Sequence, residues 1–330
     1  MAKFDVYEEI TNRIVAQLEQ GSIPWLKPWK NDKSQNGFSF AGNLSPVNAV
    51  SNRPYSGLNV LLLWITSAEK GYRSNKWLTY GQAEKLGGHV LKGEKSTLVY
   101  FMKKYEKSVK NDEGEENSEQ RFMARGYRVF NVEQTSIADK FTKNEESPVV
   151  IVTKPEESKN QFREDLEKWF EATGAKFRHG GNRAFYSTGT DSITMPHLAQ
   201  FKSVDSYYAT KFHEIGHWTG NEKRLGRTFG KRFGDAIYAL EELVAELTSA
   251  FLCADFGIIG ELVSGEHEDV GADQTQQHAA YIQSWLRELK GNKKFIFAAA
   301  SNARKAAEYL HSFSGKKAES EEEEELAIAA

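Results

Sequence analysis

Apolar residues recur four apart at the start of the chain. Val6, Ile10, Ile14 and Leu18 form one stripe, and Gly21 follows. That spacing predicts an amphipathic helix over residues 5–20. Residues 22–54 carry Pro24, Pro28, Pro46 and Pro54 and read as loop. The run Val60–Ile65 predicts a buried helix over 57–70, closed by Gly71, and a short helix is expected over 80–86 before Gly87-Gly88. Residues 96–105 and 121–132 are rich in β-branched and aromatic residues and flank the acidic stretch Asp112–Glu119. They predict a long hairpin with a solvated acidic tip.

The character changes over residues 137–155, which are polar and hold Pro148 and Pro155. This stretch reads as a linker. Beyond it, Phe162, Leu166, Trp169 and Phe170 predict a helix over 157–173, and 183–195 reads as a strand pair. Four helices follow, near 203–218, 236–256, 275–290 and 292–313. The expected fold class is α+β in two domains. An α+β domain covers 1–136, and a mainly helical domain with a small antiparallel sheet covers 156–315. Residues 316–330 form a Glu-rich tail expected to be disordered. No internal repeat is visible.

Composition narrows the class. The longest apolar runs are six residues, as in Val60–Ile65, where a membrane span needs roughly 20. The N-terminus lacks the apolar stretch of a secretory signal, so a cytoplasmic protein without a membrane partner is expected. A single cysteine, Cys253, rules out an internal disulfide framework and a Cys-rich zinc site. Net charge is −3, yet the first 110 residues hold 16 basic and 9 acidic side chains. A basic half suggests a polyanionic partner. Aromatic residues alternate with the basic ones there, a mixture that suits single-stranded nucleic acid: rings stack on unpaired bases while Lys and Arg follow phosphates. The candidates are Trp25, Lys27, Trp29, Lys30, Arg53, Tyr55, Arg73, Lys76, Trp77, Arg125, Tyr127 and Arg128.

The chemistry sits at 213–217, His-Glu-Ile-Gly-His. On a helix, positions i and i+4 share a face, so His213 and His217 can offer two imidazole nitrogens to one metal ion. Glu214 lies about 100° around the axis, placed to act on a water molecule rather than to ligate. Zn2+ fits such a donor set, with Mn2+ or Co2+ as other divalent choices, one ion per chain. Gly216 in mid-helix implies close approach by another segment. A third ligand is expected downstream, where Glu242 and Glu246 lie one turn apart among the small residues Ala239, Ser249, Ala250 and Cys253. Glu241 is the rival ligand. His278 and Tyr281, one turn apart, are candidates to stabilise an oxyanion or touch substrate, and the strand pair could align an extended peptide.

The helix–loop–helix order resembles the gluzincin peptidases. That resemblance implies Glu242 as the ligand and Glu246 as the partner of His213. More widely, Ile23-Pro-Trp25, Tyr55-Ser-Gly-Leu-Asn59, Trp77-Leu-Thr-Tyr-Gly-Gln82 and Lys92-Gly-Glu-Lys95 resemble the ArdC-type single-stranded-DNA-binding domain. Ile193-Thr-Met-Pro196, the 213–219 motif, Phe233-Gly-Asp235 and Tyr238–Glu246 resemble the zincin-like peptidase domain joined to it in plasmid and phage proteins. This implies an antirestriction protein of a conjugative plasmid or mobile element. It would bind single-stranded DNA, carry a zinc metallopeptidase site, and act on an unidentified protein or peptide, a host restriction component among the possibilities. Two other readings remain open from the residues alone. One is a cytoplasmic zinc peptidase without a DNA role. The other is a DNA-binding protector whose metal site is vestigial.

Overall fold

The computed structural model describes residues 5–25, 45–110, 116–142, 162–230, 235–258 and 274–315. In chain order the elements are α1 (Val6–Glu19), β1 (Val47–Asn48), α2 (Leu58–Lys70), β2 (Lys76–Thr79), α3 (Tyr80–Lys85), β3 (Thr97–Lys110), β4 (Glu116–Asn131) and α4 (Ala138–Thr142). Then follow α5 (Glu164–Ala172), β5 (Lys176–His179), β6 (Phe185–Ser187), β7 (Ser192–Met195), α6 (Val204–Trp218), α7 (Ala236–Phe256), α8 (Gln274–Gly291) and α9 (Phe295–Ser312). No helix of the described residues is long and apolar enough to cross a membrane.

The fold is α+β, in two compact units. Pro46–Glu145 is the body of one, and Met1–Ser45 joins Glu146–Ala318 in the other. The division differs from an N-terminal domain over 1–136 because α1 does not fold with the residues that follow it. Its buried stripe of Ile10, Ile14 and Leu18 finds its cover on α8 and its neighbours. The Thr11 hydroxyl donates to the Lys293 carbonyl at 2.9 Å, and Tyr7 packs on Phe297. The periodicity predicts a buried face but carries no information about what buries it. The expected 137–155 linker begins as α4; residues 143–161 and the acidic tail lie outside the described residues.

In the sheet unit, four strands run in the order β1-β2-β4-β3. The long hairpin of β3 and β4 pairs from Thr97↔Val129 out to Lys110↔Glu116, so strand extends into the stretch expected to be an acidic tip. Helix α2 packs on β3; its Leu61, Leu63, Trp64 and Ile65 are buried, as are Val99, Phe101 and Val129 of the sheet. Asn59 clamps helix to strand: its Oδ1 accepts from the Tyr100 N–H at 2.8 Å and its Nδ2 donates to the Tyr100 carbonyl at 2.9 Å.

The helical unit carries a three-stranded sheet in the order β5-β7-β6. It is mixed rather than purely antiparallel, because β5 pairs parallel to β7. Its main packing is α6 against α7. Ser249 Oγ donates to the Ala209 carbonyl at 2.8 Å, while His217 meets Glu241 at the other end, so the two helices run antiparallel. Gly216 makes this approach possible: a Cβ there would lie 3.3 Å from Ala245 Cα and 3.4 Å from Thr248 Cβ. On the other side of α6, Lys211 is fully buried with its ammonium 4.3 Å from the Phe170 ring and 4.7 Å from that of Phe177. Glu167 of α5 accepts from it at 2.7 and 2.9 Å, which ties α5 to α6.

Gly216→Val should therefore lower stability by about 1–3 kcal/mol through overpacking. Urea denaturation of the full chain checks this; a midpoint equal to wild type would mean that the helix contact has slack.

Candidate metal centre

Two facing helices supply the whole donor set. On α6, His213 and His217 lie one turn apart and both are buried. Their Nε2 atoms converge to 3.1 Å. From α7, Glu242 reaches between them, with Oε2 3.6 Å from His213 Nε2 and Oε1 3.7 Å from His217 Nε2. Three ligands at ~2.1 Å from one tetrahedral ion would stand about 3.4 Å apart. The three side chains therefore fit a divalent ion, and among the described residues they are the group of metal-binding type that converges.

The far nitrogens of both imidazoles meet carboxylates. His213 Nδ1 lies 3.4 Å from Glu246 Oε1, and His217 Nδ1 lies 3.1 Å from Glu241 Oε1. An Nδ1–H donated outward leaves the Nε2 lone pair facing the shared point. Glu241 is thus turned away from the position expected of a rival ligand. Arg227 holds it there through two 2.8 Å bonds, while also donating to Thr219 Oγ1 and the Gly216 carbonyl at 2.8 Å. Burial alone would depress the imidazolium of His213. The neighbouring carboxylates of Glu242 and Glu246 overturn that and hold its pKa well above the ordinary value. Burial likewise opposes the Glu242 carboxylate, yet the charges of His217 and His213 and a hydrogen bond from Tyr238 hold it below its usual range. The cluster favours positive charge at its centre.

Glu214 is buried beside the ligands, its charge felt by His213. Tyr281 stands one step further out: its hydroxyl meets that of Tyr238 at 3.1 Å, and Tyr238 in turn bonds Glu242. The side chain of His278 lies outside the described residues. The expected strand pair is β6 and β7, and β6 is an edge of its sheet. An open depression of about 340 Å³ runs beside it, lined by Arg183, Phe185, Tyr186, Ser187 and Thr188. A polar lock fixes this hairpin to the loop after α6. Tyr186 donates to Asp191 at 2.8 Å, Asn221 donates to Tyr186 at 2.8 Å, and Arg224 grips Asp191 while lying 3.9 Å above the Trp218 ring. Neither Arg227 nor this lock was predicted, since no spacing rule announces a residue that arrives from a loop.

The nucleic-acid candidates fare differently. Trp77 is wholly buried, and Trp25 and Tyr55 are 3% exposed, so none presents a ring face to a base. Trp25 lies in the helical unit and packs edge-on against Trp285. Lys27, Trp29 and Lys30 lie outside the described residues. Arg73, Arg125 and Arg128 are exposed, and Arg53, Lys76 and Tyr127 partly so. Arg125 and Tyr127 share one face of β4, while Arg128 points to the opposite face and donates to Ser96 at 3.2 Å.

Comparison with known proteins places these features. Residues 4–130 match the family described as the N-terminal domain of anti-restriction factor ArdC, and residues 164–302 match a zincin-like metallopeptidase family. A protein of Sinorhizobium fredii (strain NBRC 101917 / NGR234), y4eC, is 36% identical over 93% of this chain and 92% of its own length. The DNA primase TraC of Escherichia coli is 33% identical over 94% of this chain, which spans 27% of that longer protein. The metal-free crystal structure of the antirestriction protein ArdC from plasmid R388 superposes with a TM-score of 0.73 at 36% identity, covering 96% of this chain and all of that one. Its Mn(II)-bound form gives a TM-score of 0.67 at 36% identity, covering 95% and 99% of the two chains. The chain belongs to the ArdC family of antirestriction proteins, with a zincin-like domain as its helical unit.

Proposed function

We propose that this chain protects incoming mobile DNA by binding it single-stranded, and that its helical unit is a gluzincin-like metallopeptidase. The observation that carries the reading is the convergence of His213, His217 and Glu242 within ligand distance, with a carboxylate behind each imidazole. The Mn(II)-bound relative supports a divalent ion at such a site. When bound, the ion supplies Lewis acidity, polarising a peptide carbonyl and acidifying water. Glu214 serves as general base, taking the proton from the attacking water and passing it to the leaving amine. Strand β6 is an edge of the three-stranded sheet of the described residues, where an extended peptide can add as a further strand. The exposed Arg73, Arg125 and Arg128 supply phosphate contacts on the sheet unit, with the half-buried Tyr127 beside Arg125 as an aromatic ring within reach.

The wild-type chain should carry one divalent ion, and His213→Ala should lose it and melt earlier, because binding energy is linked to folding. Metal analysis of both proteins is the check; equal stoichiometry would remove His213 from the ligand set.

Glu214→Gln should keep the metal, the fold and DNA binding, while any peptidase activity falls by about 10²–10⁴-fold. The same variant separates two roles in a cell. If it still fully protects a restriction-sensitive plasmid entering a restricting host, DNA coverage suffices and proteolysis is dispensable for protection.

The full chain should bind a single-stranded oligonucleotide more tightly than a duplex of equal length. Its log affinity should fall with log salt by about 0.7 per phosphate neutralised. Arg73→Ala combined with Arg125→Ala should shallow that slope. Tighter binding to duplex would contradict a stacking mode.

A further inference from the structure

Arg227 belongs to no motif and reaches the metal cluster from the loop between α6 and α7. Its guanidinium is almost completely enclosed and spends its donors on one small region. Two go to the two oxygens of Glu241, one to Thr219 Oγ1 and one to the Gly216 carbonyl, all at 2.8 Å. Thr219 and Gly216 bracket His217 in sequence, so a single planar group fixes both the backbone around that histidine and the carboxylate behind it. The local sequence is built to admit it. A Cβ on Gly220 would lie 2.9 Å from the Arg227 guanidinium and 2.8 Å from Phe229, whose ring packs 6.4 Å from that of His217.

We infer that Arg227 is a positioning residue of the metal centre: it locks Glu241 as the acceptor for His217 Nδ1–H and thereby keeps His217 Nε2 available to the ion. The inference rests on the metal reading above. Its physical content is a choice between two neighbouring acids. Glu241 and Glu242 are adjacent on α7, both buried, and both long enough to approach an imidazole. The fork of Arg227 matches a carboxylate in a two-bond geometry that lysine does not reproduce. It neutralises Glu241 and holds it on the outer nitrogen. Glu242 then faces the inner nitrogens alone. Without the guanidinium, a buried carboxylate is left with a charge it cannot offset, and it is drawn to the nearest cation, the metal position itself.

The test uses the full chain and metal alone as probe. Zn(II) affinity is measured by competition with a chromogenic chelator, and the ligand field is read from the visible spectrum of the Co(II) form. Arg227→Met should weaken Zn(II) binding by about 10–100-fold, as removal of outer partners does, and should alter the Co(II) spectrum. Adding Glu241→Gln to that variant removes the stray charge but keeps a carbonyl acceptor for Nδ1–H, so affinity should recover most of the loss. A merely structural arginine would shift the melting temperature and leave both metal readouts unchanged; that result overturns the inference. Should Arg227→Met fail to fold, Arg227→Lys carries the test. It restores the charge without the fork, so it should still bind Zn(II) several-fold more weakly, and wild-type affinity would overturn the proposal. Wild-type protein that takes up no ion removes the metal reading and this inference together. Wild-type uptake with unchanged variants removes the inference alone.

Discussion

The helical unit depends on how closely α6 and α7 can approach. The three candidate ligands are carried by one antiparallel contact, which Gly216 allows to close. With the axes this near, side chains of ordinary length bridge the gap: His213 to Glu246, His217 to Glu241, and Glu242 to both. The constraint explains why a residue that weakens an isolated helix sits in the middle of the one that bears the chemistry. The lost propensity is offset by packing and by the interhelical bonds that packing permits.

That contact also concentrates charge. Glu214 on α6 and Glu241, Glu242 and Glu246 on α7 are all buried, and Arg227 neutralises one of them. Such a grouping is unfavourable unless positive charge resides at its centre. The raised pKa values of His213 and His217 and the lowered ones of Glu241 and Glu242 are the same fact seen from each side. Lys211, two residues before His213, shows a separate solution on the other face of α6. There a buried ammonium is enclosed by rings and answered by Glu167. One helix thus carries two buried charge systems on different faces.

Much of this was legible in the sequence because helices advertise themselves. The i, i+4 pair at His213 and His217 and the acid pair at Glu242 and Glu246 are periodic signals, and the observed α6 and α7 fall within a residue of the predicted spans. Other features were not legible, for identifiable reasons. Strand β5, Lys176-Phe-Arg-His, is almost wholly exposed and shows no apolar alternation. Arg227 comes from a loop, where no period constrains position. Trp25, Tyr55 and Trp77 stand among basic residues in sequence, which suggested stacking on bases, yet they serve as core. Neighbours along the chain do not reveal which way a ring turns. The strand β4 shows the same point from the surface side, since Arg125 and Arg128 lie on opposite faces three positions apart.

The placement of α1 has a consequence for how the molecule is made. Helix α1 packs against segments made much later in the chain, as the Thr11–Lys293 bond shows across 282 positions. The body of the sheet unit, Pro46–Glu145, lies between the two in sequence. During synthesis the apolar stripe of α1 therefore lacks this native cover until α8 has been made.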